Sequence, residues 1–571
     1  MPSSRSRRSS FRCALSLALA VGLSALGCTS ADVPLPSEPV PFQLVTPGRA
    51  VFISSANGDV VEVRGAGAAP GLTVEGVPIT PAADGSFTTT FVAHEGLNVV
   101  HAEDPTGRIA NAFLFGRFAS PDKMIPGAVT LRINPEGFKS DDPKVASLSR
   151  LAELAFDGIG LLAQLEGKTF TGTFKGGSWS FAVKKATYGD SMATLTPKAG
   201  GAAFIASLSK VEVNGVLSID FSYTQTDAAT IRIDSAIVSG DIEAGLAEGA
   251  LAVNGANITT TLNGFAYDSN NAGFPCCVDE ILTDVMKSNL EAAMQEKVAE
   301  VLESKVALAL NDLGLPPVID LTDTGFPATL AVSHAFDAAS FTKTGASLSA
   351  ALRISGTPGE RQRALGSPGW LELGNKPVEL GTTTPHALSV SLDVLNQALF
   401  AVWGEDALTR TIDDVPSFGS VTLTPKLPPV VTLTPEGNLR AAIGEVFVRG
   451  NFGGSPVLAT VSIVDDVMPS LDGEAGKLTL TPSGKPEVAI TWIQAEGVPQ
   501  TLRAVVEAMA VTQVPKLLSP LALPLPSLPL ASFAPSLAGT VAAVSKEAKL
   551  WLDPKTNRAR IEGALVLVPA N

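Results

Sequence analysis

The chain has 571 residues and a net charge of −15, with 45% hydrophobic residues, 17% charged residues and a mean hydropathy of +0.27. An acidic balance argues against nucleic-acid binding and against strong attraction to anionic surfaces, and four cysteines are too few for a disulfide scaffold. So many apolar residues need either a very large core or an apolar ligand to cover them.

The N-terminal stretch MPSSRSRRSSFR is basic and free of acids, and an apolar run from Ala14 to Leu26 follows it. That run is too short to span a bilayer and suits a signal peptide over residues 1–27. The sequence Ala25-Leu26-Gly27-Cys28 resembles a bacterial lipoprotein signal, which implies acylation of Cys28. Ordinary cleavage nearby, with Cys28 a free thiol, is the alternative. With Thr29 after the cysteine, the resemblance implies an outer-membrane anchor facing the periplasm or the surface. Residues 28–44 read as a Pro-rich linker.

Residues 45–119 hold short strands with turn signals every eight to twelve residues, as in a small β-sandwich. The wording LTVEGVPIT, then Asp84-Gly85, SFTTTFV and GLNVVHAEDPTGR resembles bacterial immunoglobulin-like modules, which implies a spacer or docking unit. A second region, 124–320, opens with VTLRINPEGF and a helix from Asp142-Pro143, with Val145, Leu148, Leu151, Leu154, Phe156, Ile159 and Leu162 on its apolar face. Long alternating segments such as VEVNGVLSIDFSY predict an antiparallel sheet with one apolar face. From Cys277 to about Leu313 apolar residues recur at spacings of three and four, including Ile281, Val285, Leu290, Met294, Val298 and Leu302. That pattern predicts one long amphipathic helix covered by the sheet.

The third region, 321–571, repeats the plan of strands and two helices. LSVSLDVLNQALFAVWGEDAL turns Leu395, Leu399 and Val402 to a core, and PQTLRAVVEAMAVTQVPKLL contributes Leu502 and Val506. A Pro-rich stretch, LSPLALPLPSLPLASF, leads into the last strands.

In order and wording, residues from about Met124 to Asn571 resemble the tubular lipid-binding superfamily of bactericidal/permeability-increasing protein, lipopolysaccharide-binding protein and the plasma lipid-transfer proteins. The pieces that carry the resemblance are VTLRINPEGF with its helix, SWSFAVKKATYGDSMATLTP, LGLPPVIDL, the Asp393, Leu395, Asn396 helix, LTPKLPPVVTLTPEG and PLALPLPSLPLASF. The family implies an α+β fold of two end-to-end tubular barrels, each a long helix on a highly twisted antiparallel sheet, here preceded by the small all-β immunoglobulin-like sandwich. It implies binding of phospholipid or another acyl lipid in apolar tunnels, with no other cofactor. Two features depart from it. Cys276 and Cys277 are adjacent and lack a distant partner, leaving either a vicinal disulfide or two thiols; and there is no dense Lys/Arg cluster of the kind endotoxin binders use.

No nucleophile elbow, His-Glu-x-x-His or phosphate loop occurs. Gly65 to Gly71 reads as a plain turn, His94, His101, His334 and His386 are scattered, and Asp413-Asp414 and Asp465-Asp466 read as solvated loop charge. The expectation is therefore a membrane-anchored lipid carrier that is not an enzyme. Its partners are lipids and, through the anchor, a membrane; its candidate lining residues are Leu148, Phe156, Ile281, Val285, Met294, Val298, Leu302, Leu395, Leu399, Val402, Leu502 and Val506. Sequence does not separate tunnel lining from packed core. The rival expectation is a surface adhesion or structural scaffold with filled barrels.

Overall fold

A computed structural model describes residues 41–571 except 160, 175, 221–222, 270–275, 302, 304–310, 312–316, 323–326, 357–365, 416–417, 453, 473–476, 483–485, 495–498, 515–522, 525–527, 530–539 and 570–571. The signal, Cys28, nearly all of the linker and most of the late Pro-rich stretch lie outside the described residues.

The chain is mostly strand, arranged in curled antiparallel sheets. Residues 43–119 form two small sheets. One has the strands Gln43–Thr46, Val60–Ala66 and Phe87–Val92; the other is built around Gly96–Asp104 and Gly107–Ala119. Alternate residues point inward, as the pleat requires, so Val61, Val63 and Phe87 from the first sheet meet Val74, Val100 and Phe113 from the second in one apolar cluster. The turn between them uses Gly85 at φ +78°, and Asp84 accepts a hydrogen bond from the Ser86 amide at 2.9 Å.

The first large sheet runs in the order Thr169–Phe174, Gly177–Thr187, Gly201–Asp220, Thr224–Ala247, Ala250–Asn263. Its two central strands are 20 and 24 residues long. Strands of that length stay in one sheet only by curling, and the register shifts at Val183/Lys185 and Ser239/Asp241, with Lys210 and Asn257 at positive φ, supply the bends. A central sheet follows, ordered Val318–Asp320, Thr329–Thr342, Gly345–Ser355, Ile125–Ile133, His386–Ser391, Arg558–Gly563, Lys549–Asp553. It joins strands from both of the regions read as separate halves of the sequence. A second large sheet is centred on Leu439–Phe452 and Ser455–Asp472.

Among the described residues four helices of three or more turns pack on these sheets: α1 (Leu148–Ile159), α2 (Cys276–Val301), α3 (Leu392–Gly404) and α4 (Gln500–Gln513). Three sequence readings are corrected. The first helix starts at Leu148 rather than Asp142, because Val145 is bridged to Val566 and the amide of Ala146 donates to the Leu565 carbonyl. Its end at Ile159 is followed by a separate 3-10 turn, Leu161–Leu165, that carries Leu162. The Asp413-Asp414 and Asp465-Asp466 pairs lie in strands Arg410–Val415 and Ser455–Asp472 rather than in loops; Asp413 and Asp414 are exposed as expected, while Asp465 is buried.

Two large apolar clusters result, one beneath α2 and one around α3. The small β region is not held apart from them: its Leu97, Ala112 and Leu114 belong to the α3 cluster.

Candidate functional site

The concave side of the first large sheet carries a buried apolar cluster covered by helix α2. Helix α2 packs mainly on Ala250–Asn263, one edge of the sheet, and also reaches Thr169–Phe174 at the opposite edge. A single helix thus spans the gap that the curled sheet leaves open. Its buried face is Met286, Leu290, Ala293, Met294, Val298 and Val301, the spacing of three and four expected of one stripe. Against it stand Trp179, Phe181, Val213, Leu217, Ile231, Ile233, Val238 and Leu262 from four strands. Alanines are frequent on the same surface, among them Ala186, Ala193, Ala202, Ala206, Ala229 and Ala236. Short side chains keep the walls thin where a sheet of this curvature encloses a helix.

Polar side chains fix the frame from outside. Glu291 on α2 accepts from the Leu262 amide at 3.2 Å, and the Lys168–Glu296 ion pair, 3.6 Å, ties α2 to the approach of the opposite edge strand. Ser149 and Glu153 on α1 accept from the amides of Leu195 and Ala193, at 2.8 and 3.1 Å, giving strand Ser191–Lys198 side-chain partners on its free edge. The Tyr188 hydroxyl donates to the Phe156 carbonyl at 2.8 Å; burial, and then the nearby Asp157, push it up to about 12.

Of the expected lining residues, Phe156, Met294 and Val298 are buried in this cluster, while Leu148 and Val285 pack against it half-buried. Met286 and Ala293, which the stripe did not single out, are more deeply buried on the same face as Val285. Leu395, Leu399 and Val402 lie instead on α3, all thirteen residues of which are buried. The side chains of Ile281, Leu302, Leu502, Val506, Cys276 and Cys277 lie outside the described residues.

Helix α3 carries a polar stripe that sequence reading noticed only in part. Ser391 caps it by accepting from the Asp393 amide, and Asp393, Asn396 and Gln397 follow at the spacing of one face. Each satisfies backbone groups of neighbouring segments: Asp393 accepts from the Leu373 amide at 2.7 Å, Asn396 from the Val431 amide at 2.7 Å, and Gln397 from the Ile354 amide at 2.7 Å while donating to the Lys123 carbonyl at 2.9 Å. The helix is therefore a fixed pillar. Burial raises the Asp393 carboxyl to about 6, a shift that hydrogen bonding from Leu373 moderates. A carboxyl raised above its unfolded value contributes stability fully at low pH and loses it as pH rises towards 6. Relative to Asp393→Asn, which keeps the acceptor without the charge, the native chain should gain about 1.4 kcal/mol between pH 7 and pH 5. Urea unfolding of both proteins at the two pH values measures this; equal pH slopes would exclude the effect.

His101 faces Arg108 and Glu75, His334 bonds the Asn311 carbonyl, and buried His386 accepts from the Leu565 amide. Among the described residues no group of three or more metal-ligating side chains comes together. Two depressions of about 470 and 420 Å³ lie over strand turns of the first large sheet. They are lined by groups such as Lys198 and Glu243, or Thr171, Ser178, Ser180 and Ser218. Such polar surfaces suit water better than hydrocarbon.

No family model and no curated sequence matches the chain. Among solved structures it is similar to lipopolysaccharide binding protein, with 13% identity, a TM-score of 0.42, and coverage of 78% of this chain and 100% of that one. P47 of Clostridium botulinum E1 matches with 10% identity, a TM-score of 0.24, and coverage of 78% and 100%. P47 from Clostridium botulinum A2 matches with 9% identity, a TM-score of 0.27, and coverage of 76% and 97%. At these identities and TM-scores, the likenesses carry no argument about ligand or activity.

Proposed function

We propose that the chain is a lipid-binding protein, anchored to the outer membrane through Cys28, that holds acyl chains in the chamber under α2 and does no chemistry on them. In this reading it is a tubular lipid-binding protein with two barrels and an immunoglobulin-like module at its N-terminal end. The observation that supports the proposal is the arrangement of the first large sheet: curled, apolar on its inner face, with one helix rather than a further strand touching both of its edges. Such an enclosure is held by side-chain packing, so it can part and re-form without breaking a ladder of hydrogen bonds. Acyl chains gain about 0.8 kcal/mol for each methylene removed from water, which offsets the ordering cost of a long flexible ligand.

Helix α3 favours a second reading for the other half. Leu395, Leu399 and Val402 are buried on this fully buried helix, which supports reading that half as a scaffold, whether for lipid handling or for surface adhesion.

The test is uptake from vesicles of phosphatidylcholine containing pyrene-labelled phospholipid. Saturable loss of excimer fluorescence on adding the protein, with labelled lipid recovered in the protein fraction, is the expected result. A stable protein that extracts none sinks the carrier reading and leaves the scaffold.

A further inference from the structure

A free strand edge invites pairing, and proteins blunt such edges with charges, prolines, bulges or covering side chains. Most free edges of this chain are blunted. Lys549–Asp553 carries a charge at each end. Arg410–Val415 holds Arg410, Asp413 and Asp414, the last at φ +59°. Ser191–Lys198 is covered by Ser149 and Glu153 of α1. Thr169–Phe174 is uncharged, but α2 reaches it.

Phe87–Val92, with the sequence FTTTFV, has none of these devices. It ends the three-stranded sheet of the small β region, and among the described residues it pairs only with Val60–Ala66. The Ala93 amide donates to the Asp59 carbonyl at 2.7 Å, one step beyond the Val60/Val92 pair. Antiparallel ladders alternate, so residues 87, 89 and 91 turn their backbone groups to Val60–Ala66, and Thr88, Thr90 and Val92 turn theirs to the open side. The same three residues are exposed, Val92 at 69%. Phe87 is buried and Phe91 rests edge-on against Phe113, so the inner face holds the strand in place. The region that carries it is itself fixed to the second large sheet. There the Thr491 hydroxyl accepts from the Ala110 amide at 2.8 Å, and Glu445 accepts from the Ala112 amide at 2.8 Å.

The sequence of the edge also specifies what fits it. Residues 87–91 read Phe-Thr-Thr-Thr-Phe, a palindrome about Thr89. A two-fold axis through Thr89 sets Phe87 opposite the partner's Phe91, Thr88 opposite the partner's Thr90, and Thr89 opposite itself. Thr88 and Thr90 are the residues whose backbone faces outward, so each such pair would exchange backbone hydrogen bonds. Aromatic pairs and Thr–Thr pairs are favourable across strands, and no charge lies on the contact although the chain carries −15.

We propose that the chain self-associates as a two-fold dimer through Phe87–Val92, joining two three-stranded sheets into one. The proposal goes beyond lipid binding and does not rest on it. It is tested on protein from about residue 37 onward, which keeps every described strand. Wild type should sediment as a monomer at about 1 μM and as a dimer at about 300 μM. Thr88→Lys with Thr90→Lys sets like charges opposite each other and should weaken association about tenfold or more. Both positions are exposed; should the double variant unfold, Thr90→Lys alone is read in the same way. Thr89→Cys places two thiols on the axis, within disulfide reach, whereas Thr88→Cys places them on a diagonal about 7–8 Å apart. With copper–phenanthroline in air, Thr89→Cys should therefore cross-link faster than Thr88→Cys, with wild type as the background. A wild type still monomeric at about 300 μM overturns the proposal. So does association undiminished in the lysine variants, or cross-linking no faster at position 89 than at 88.

Discussion

Arg558→Leu should lower unfolding free energy by about 3–5 kcal/mol, among the largest effects of any single change in this chain. Arg558 begins strand Arg558–Gly563 and is 1% exposed. Its guanidinium donates to the Ser389 hydroxyl at 2.6 Å, the Gly127 carbonyl at 2.7 Å, the Thr130 hydroxyl at 3.3 Å and the Asn375 side chain. Among the described residues no carboxylate forms an ion pair with it, so neutral acceptors from three separate segments carry the charge. Burial, and then Arg560, bring its pKa down to about 10, while Asp393 and Asp337 act in the opposite sense. Leucine would leave the buried Ser389 hydroxyl and the half-buried Gly127, Thr130 and Asn375 acceptors without this donor. Lysine restores the charge but not the planar fork of donors, so Arg558→Lys should recover less than half of the loss. Urea denaturation of the three proteins measures this; a leucine variant within about 1 kcal/mol of wild type would refute the network's importance.

Met294→Glu should abolish lipid uptake and destabilise the chain by about 3–5 kcal/mol. Met294 is 1% exposed at the middle of the α2 stripe, facing the apolar strands. A carboxylate there would face apolar side chains and must either protonate or force the helix away from the sheet. Met294→Leu preserves volume and should cost less than about 1.5 kcal/mol with uptake retained. Gln295→Glu, one residue on and exposed, should change stability by less than about 0.5 kcal/mol. Uptake that survives in a folded Met294→Glu protein would move the ligand out of this chamber.

Local periodicity explains which parts of this architecture were readable. The α2 stripe and the long alternating strands could be placed because each is written in consecutive residues. At Val285 and Met286 both residues are apolar, and only the sheet decides that Met286 is the more deeply buried. Helix α3 offered a further signal: an otherwise apolar segment with polar residues at 393, 396 and 397 points to a buried helix that serves backbone groups around it. Arg558, Glu445 and Thr491 offered none. Their partners lie hundreds of residues away, as with Glu445 and Ala112 or Arg558 and Gly127. Nor could the sharing of the central sheet be foreseen, since Ile125–Ile133 and Arg558–Gly563, far apart in sequence, each pair with His386–Ser391.

The most direct test is mass spectrometry of the protein from about residue 37 onward, expressed without its N-terminal segment and purified without detergent, under conditions that preserve non-covalent complexes and then with organic extraction. The account predicts phospholipid or another acyl lipid bound in near-stoichiometric amount, and its depletion in Met294→Glu. A folded wild-type protein that carries no acyl lipid and acquires none from vesicles would contradict it.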